Sequence, residues 1–200
     1  MGSFRTIRSE FRHEIEKIKG SRFIGILTPV QDSDAALAAL QRIREEFADA
    51  RHHCWAWRLG ADRDRFRFGD DGEPSGSAGR PILQALDGQE LTDILAVVVR
   101  YFGGTKLGVG GLIRAYGGCA AETIGQAPIE VQRITETLRV QYGYELSNAV
   151  DATLAAYPEA TLLDSDYGEV VTMTVAVPSE DSARFTAELN ERSAGRIRVS

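Results

Sequence analysis

The stretch VVVRYFGGTKLGVGGLIRAYGGCAAETI, residues 97–124, begins as a buried strand and ends as a helix. The apolar, β-branched run 94–102, ILAVVVRYF, reads as a strand covered on both faces. From Leu112 onward the pattern is helical, although the pair Gly117–Gly118 weakens a helix by roughly 1 kcal/mol per glycine relative to alanine. A glycine pair at that place points to close packing on a neighbour. Between Arg100 and Arg114 lie five glycines, at 103, 104, 108, 110 and 111. Glycine is costly to order, so either the backbone must turn there as other residues cannot, or something approaches it closely.

A glycine-rich turn from a strand into a helix points unpaired amides at one spot, where the helix dipole adds positive potential. Arg100, Lys106 and Arg114 surround it, and Gly103, Gly104, Gly108, Gly110 and Gly111 free its backbone. That combination suits an anion: a phosphate, a carboxylate or a nucleic-acid backbone. Tyr101 and Phe102 add a stacking surface. The known nucleotide motifs do not match: GGTKLGVGG lacks the G-x-x-x-x-G-K-[ST] spacing, and Ile113 stands where G-x-G-x-x-G needs its third glycine. The alternative is that the glycines serve only the turn and helix packing, with the cations solvated. Pattern alone leaves both readings open.

Outward from this stretch, SEFRHEIEKIKGSRFIGILTPV reads as two strands around a Gly20–Ser21 turn. DSDAALAALQRIREEF follows as a capped helix, with Ala36, Leu37, Leu40, Ile43 and Phe47 at helical spacing. CWAWRLG and DRFRFGD are short aromatic strands, and GDDGEPSGSAG is a loop before a short helix starting near Pro81. Pro128 marks a boundary, giving domains 1–128 and 129–200. Beyond it the pattern is strand 129–142, helix 144–157, strands 160–166 and 169–177 joined at DYGE, helix 179–193 and a last strand RIRVS. This β-α-β-β-α-β order is the ferredoxin-like, split β-α-β plan. The predicted class is α+β in two units.

The chain has 200 residues, of which 43% are hydrophobic and 26% charged, an ordinary globular composition. No run approaches the ~20 apolar residues needed to span a bilayer, and the N-terminal stretch lacks the apolar core of a secretory signal. Cys54 and Cys119 are the only cysteines, too few for a disulfide framework, which points to a reducing cytoplasm. Residues 1–128 balance 17 basic against 17 acidic side chains, whereas residues 129–200 carry 6 against 12. The net charge of −6 therefore resides in the last third. It argues against indiscriminate coating of nucleic acid but leaves room for a local basic pocket.

Two further segments contain chemically capable residues. Asp70, Asp71 and Glu73 in GDDGEPSGSAG could ligate a hard cation such as Mg²⁺, although the spacing is not that of an EF-hand. An ordinary turn-rich surface loop is the weightier reading, and no metal is expected. His52, His53 and Cys54 are ligand types, but neighbours on a strand point to opposite faces and no second cluster completes a zinc site. Trp55 and Trp57 share one face as core or groove lining.

HHCWAW, DDGEPSGSAG, RPIL and VVVRYFGGTKLGVGGLIRAY, in this order and spacing, resemble the IMPACT/YigZ family, also called uncharacterised-protein family 0029. The likeness covers residues 15–128, and the β-α-β-β-α-β tail resembles the small C-terminal domain of the bacterial two-domain branch. Ser77 replaces a commoner Thr and retains its hydroxyl. Nothing matches the extra N-terminal domain through which eukaryotic members engage a translation-control partner. The resemblance implies a first domain folded like a small-subunit ribosomal protein and the fourth domain of elongation factor G. It implies a tail like that factor's fifth domain. Its signature positions fall here on Asp71, Gly72, Glu73, Pro74, Ser75, Gly76, Arg100, Tyr101, Gly103, Gly104, Lys106, Gly108, Gly110, Gly111, Arg114 and Tyr116. Eukaryotic members regulate translation initiation by protein binding, and RNA or ribosome association of bacterial members follows by analogy of fold.

Three functional readings result. The favoured one is a non-catalytic protein that grips RNA phosphate or an acidic protein segment through the cationic glycine loop, without a cofactor. The second is an enzyme acting on a phosphorylated or carboxylated small molecule, with Asp70, Asp71 or Glu73 as acid, base or Mg²⁺ ligand. The third is a regulator working through protein contacts alone.

Overall fold

The computed structural model describes residues 2–200, an α+β chain that divides into two compact units. One comprises Phe4–Gln132, and the other comprises residues 2–3 with Arg133–Ser200.

In the first unit β2 (Phe11–Glu14), β3 (Arg22–Pro29), β4 (His52–Leu59), β5 (Arg65–Gly69) and β6 (Ile94–Tyr101) form one antiparallel sheet in the order β2-β3-β6-β4-β5. The central position of β6 explains its unbroken apolar sequence. Ile94, Ala96 and Val98 enter one core, while Leu95, Val97 and Val99 enter the core on the opposite face. Helix α1 (Ser33–Glu46) covers the second of these with Ala36, Leu40 and Ile43, and Asp32 caps it by accepting a bond from the Ala35 amide at 2.8 Å. Trp57 and Leu59 lie in that same core, with Trp55 packed against it. Helices α2 (Gly79–Gly88) and α3 (Val109–Gln126) cover the other face with Ile82, Leu86, Leu112, Tyr116 and Ile124. A separate ribbon pairs β1 (Ser3–Ile7) with β7 (Ile129–Arg133).

Several local expectations shift. Helix α2 begins two residues before Pro81, because the Asp70 carboxylate, outside the helix, accepts the Ala78 and Gly79 amides. The run 129–142 is two strands, β7 and β8 (Thr135–Tyr142), interrupted at Ile134. Pairing of β7 with β1 keeps residues 129–132 with the first unit, four residues past Pro128. Of the pair in α3, only Gly117 is a close-packing glycine: a Cβ there would lie 3.4 Å from Pro81 Cβ, whereas one on Gly118 would meet open space.

The second unit continues from β8 through α4 (Ser147–Ala156), β9 (Thr161–Tyr167), β10 (Val171–Pro178), α5 (Ser182–Ser193) and β11 (Arg198–Val199). Its antiparallel sheet has the order β11-β8-β10-β9, so the first and third strands of this β-α-β-β-α-β run are neighbours at its centre. Val140, Tyr142, Val171, Met173 and Val175 pack from the sheet against Val150, Phe185 and Leu189 of its helices. The alternate residues Thr172, Thr174 and Ala176 of β10 are half-exposed, the pattern of a sheet with one covered face.

Candidate functional site

Strand alternation places Arg100 and Tyr101 on opposite faces of the sheet. Arg100 follows Ala96 and Val98 onto the α2/α3 face, where it stands opposite His52 and Phe23. Tyr101 points to the α1 face, donates its O–H to Asp49 Oδ1 at 2.7 Å and lies under the Arg22 guanidinium at 5.1 Å. Tyr101 is therefore not part of the proposed cradle, which corrects the stacking surface expected from two adjacent aromatics. Phe102 alone supplies it and is 45% exposed.

Beyond Phe102 the chain crosses the Gly20–Ser21 turn at minimal distance. A Cβ on Gly103 would fall 1.9 Å from the Gly20 carbonyl carbon, and the Gly103 amide donates to Ser21 Oγ at 3.1 Å. Gly108 has φ +71°, a left-handed conformation, and forms the N-cap of α3. Among the described residues no side chain caps this helix. Lys106 precedes it, exposed, and Arg114 Nη1 lies 3.7 Å from the place a Cβ on Gly110 would take, folding that guanidinium back along the first turn. Among the described residues neither cation has a carboxylate within ion-pair distance.

Arg100 differs. Its Nη1 donates to Glu73 Oε1 at 2.6 Å, and the two side chains are 5% and 6% exposed. The same oxygen accepts the Tyr116 O–H at 2.7 Å. Phe23 and Phe102 flank the guanidinium at 5.5 and 5.6 Å, a double cation–π contact. The charge of Arg100 is thus compensated inside the protein, which leaves Lys106 and Arg114, of the three expected cations, without an ion pair among the described residues. A groove of about 310 Å³ opens beside the pair, lined by Glu73, Arg100, Phe102, Lys106, Val109 and Leu112 among others.

The loop 70–79 is held by bonds that the sequence did not disclose. Asp70 accepts the amides of Gly76, Ala78 and Gly79 at 2.8–3.0 Å and so caps α2 from outside it. Asp71 adopts φ +44°, takes an ion pair from Arg44 at 2.7 Å and accepts the His53 amide at 2.7 Å. Its carbonyl accepts the His52 Nδ1–H at 2.9 Å, and the ring's Nε2 lies 3.9 Å from Glu73 Oε1. Gly72 and Gly76 turn with φ +86° and +74°, and the Pro74 carbonyl accepts the Ser77 amide at 3.0 Å, with Ser75 at the turn between them. Cys54 donates to the Asp70 carbonyl at 3.0 Å. Burial, aided by the nearby carboxylates, pushes its thiol up to about 12 against the opposing bond to Tyr116, which removes it as a nucleophile at neutral pH. Burial, then the adjacent Cys54 and the bond to Glu73, also drives the Tyr116 phenol well above its usual range. The segments HHC and DDGEPSG are thus two halves of one clasp. No group of three or more His, Cys, Asp or Glu side chains able to hold a metal occurs among the described residues. Phe23 reaches this arrangement through the β3–β6 register and Ser21 through the turn before β3, so neither role carried a signal in sequence.

The chain belongs to the IMPACT family. The model of the Impact N-terminal domain matches residues 19–124, and a domain of unknown function, DUF1949, matches residues 140–196. The IMPACT family member YigZ of Escherichia coli K12 is 39% identical over 187 residues, which are 92% of this chain and 91% of that protein. An IMPACT family member of Haemophilus influenzae is 38% identical over 91% of this chain and 89% of its own. A solved structure titled as that of an hypothetical protein aligns with a TM-score of 0.74 at 37% identity, covering 100% of this chain and 97% of the other. No helix among the described residues is long and apolar enough to cross a membrane.

Proposed function

We propose that this chain is a non-catalytic binding protein that grips RNA phosphate, on the ribosome or on free RNA, and acts in the regulation of translation in the cytoplasm. The observation that carries the reading is the start of α3: a helix N-terminus that, among the described residues, has no side-chain cap and is flanked by Lys106 and Arg114, neither of which has an acidic partner there. Amides and cations left unpaired at one place favour a phosphate over water. Phe102, exposed beside them, offers a ring face on which a base stacks. The translational context is part of the proposal and rests on analogy with the eukaryotic members that the sequence resembles. The enzymatic reading has less support, because Asp70 and Asp71 spend their carboxylates on backbone amides and Arg44, and Glu73 is bonded to Arg100 and Tyr116.

The test is binding of a labelled single-stranded RNA, and of purified small ribosomal subunits, to the wild type and to Lys106→Ala/Arg114→Ala across a salt series. Each lost phosphate contact reduces the salt slope by about 0.7 on single strands. The double variant is expected to bind more weakly, with a slope lower by about 1.4 if both cations reach phosphate. A wild-type protein that binds neither probe at low salt would overturn the reading. So would a double variant indistinguishable from it.

A further inference from the structure

We propose that β5 is a docking edge for an extended peptide strand, supplied by a partner protein, in which acidic and apolar residues alternate. Strand β5 is the outermost of its sheet and pairs only with β4. Residues 65–68 make no other backbone bond among the described residues, so the outward half of their amides and carbonyls is free. All four side chains, Arg65, Phe66, Arg67 and Phe68, are exposed, the two phenylalanines by 51% and 38%.

The register decides what the edge can accept. Arg65 and Arg67 stand opposite Leu59 and Trp57 on the α1 face, while Phe66 and Phe68 stand opposite Arg58 and Ala56 on the other. Unpaired cations thus line one face of the edge and aromatic rings the other, where the Arg58 guanidinium lies 5.0 Å over Phe66 with its charge met by Asp87. An incoming β-strand presents its own side chains alternately to both faces, so acids at every second residue meet Arg65 and Arg67 while apolar residues meet the two rings. The guanidiniums have no carboxylate in ion-pair distance among the described residues, unlike their neighbours Arg58 and Arg63, which both pair with Asp87. A single-stranded nucleic acid is the poorer fit, because its bases and phosphates would need rings and cations on one face. Pairing of β5 with β5 of a second copy is opposed by arginines set against arginines.

The test uses the full chain and two fluorescein-labelled synthetic heptapeptides, one alternating Glu with Val and one alternating Lys with Val. Saturable polarisation is expected for the acidic peptide only, with amide NMR shifts centred on residues 65–69. A central proline in that peptide should weaken binding at least tenfold, since it removes a ladder donor. Arg65→Glu/Arg67→Glu should reverse the preference toward the Lys peptide, a gain that unfolding cannot produce. The proposal is overturned if the acidic peptide does not bind, if proline leaves its affinity unchanged or if charge reversal does not switch the preference. It is overturned equally if an RNA oligonucleotide produces the shifts at 65–69, or if sedimentation shows self-association lost in the charge-reversed variant.

Discussion

Arg100 Nη1 stands 2.6 Å from Glu73 Oε1, with both side chains almost wholly withdrawn from water. This pair ties the central strand to the loop between β5 and α2, and Tyr116 of α3 shares the same oxygen. Removing one partner leaves the other as a buried, uncompensated charge, which costs about 3–5 kcal/mol, whereas replacing both with apolar groups of similar size is far milder. Glu73→Gln is therefore expected to destabilise the first unit strongly, and Glu73→Leu/Arg100→Met to recover much of the loss. Urea denaturation followed by tryptophan fluorescence reads this unit directly, because Trp55 and Trp57 are the chain's only tryptophans. A Glu73→Gln loss below about 1 kcal/mol would mean that the pair contributes nothing the groove's water cannot replace.

The glycines of residues 103–118 are not equivalent. At Gly103 an added Cβ meets the backbone of Gly20 and Ser21 at 1.9–2.3 Å, so the loop must move away from the turn beneath it. Gly103→Ala should lower the midpoint of unfolding and abolish protection of the Gly103 amide, now bonded to Ser21 Oγ. At Gly118, within α3 and facing open space, alanine should stabilise by about 0.5–1 kcal/mol. Equal effects of the two substitutions would contradict this difference in packing.

Much of the architecture was legible because periodicity is a local signal. The unbroken run of β6 announced a strand covered on both faces, and the β-α-β-β-α-β order of the second unit followed from alternating patterns alone. What sequence concealed depends on register and on long-range capping. Arg100 and Tyr101 are neighbours in the chain yet serve opposite faces, so grouping them in one site failed. Asp70 caps a helix that begins nine residues later, well outside the three-residue offset by which caps are recognised. Arg114 does fold back along the first turn of α3, but only the pairing of Glu73 revealed that Arg100 was already taken.

Alkaline pH should weaken the first unit through its thiols. Burial moves Cys54 and Cys119 from an ordinary 9.0 to about 12. The unfolded chain releases these protons from about pH 9, while the folded one holds them until about pH 12, so above pH 9 the unfolded state binds fewer protons. Stability is accordingly full below pH 9 and falls as pH rises between those limits, by up to about 1.4 kcal/mol per pH unit for each thiol. Urea midpoints at pH 8 and pH 10 measure the slope, and Cys54→Ala/Cys119→Ala should flatten it. Native protein at pH 8 should also leave both thiols unreactive toward a disulfide reagent until denaturant is added.

The acidic loop yields a prediction that separates a structural from a metal-binding role. Asp70 Oδ1 accepts the Ala78 and Gly79 amides and Oδ2 accepts that of Gly76, so both oxygens are occupied by the backbone they organise. Asp70→Ala removes a charged cap and exposes the α2 N-terminus, at a cost of about 2 kcal/mol. Asp70→Asn keeps one acceptor oxygen and should lose less. Hydrogen exchange at Gly76, Ala78 and Gly79 should quicken in the alanine variant before any other part of the unit responds. Because the carboxylate is already committed, millimolar Mg²⁺ should leave the thermal midpoint of the wild type unchanged. A midpoint that rose with Mg²⁺ in the wild type, and did not in Asp70→Ala, would make this loop a cation site and give its carboxylates a function beyond holding α2 in place.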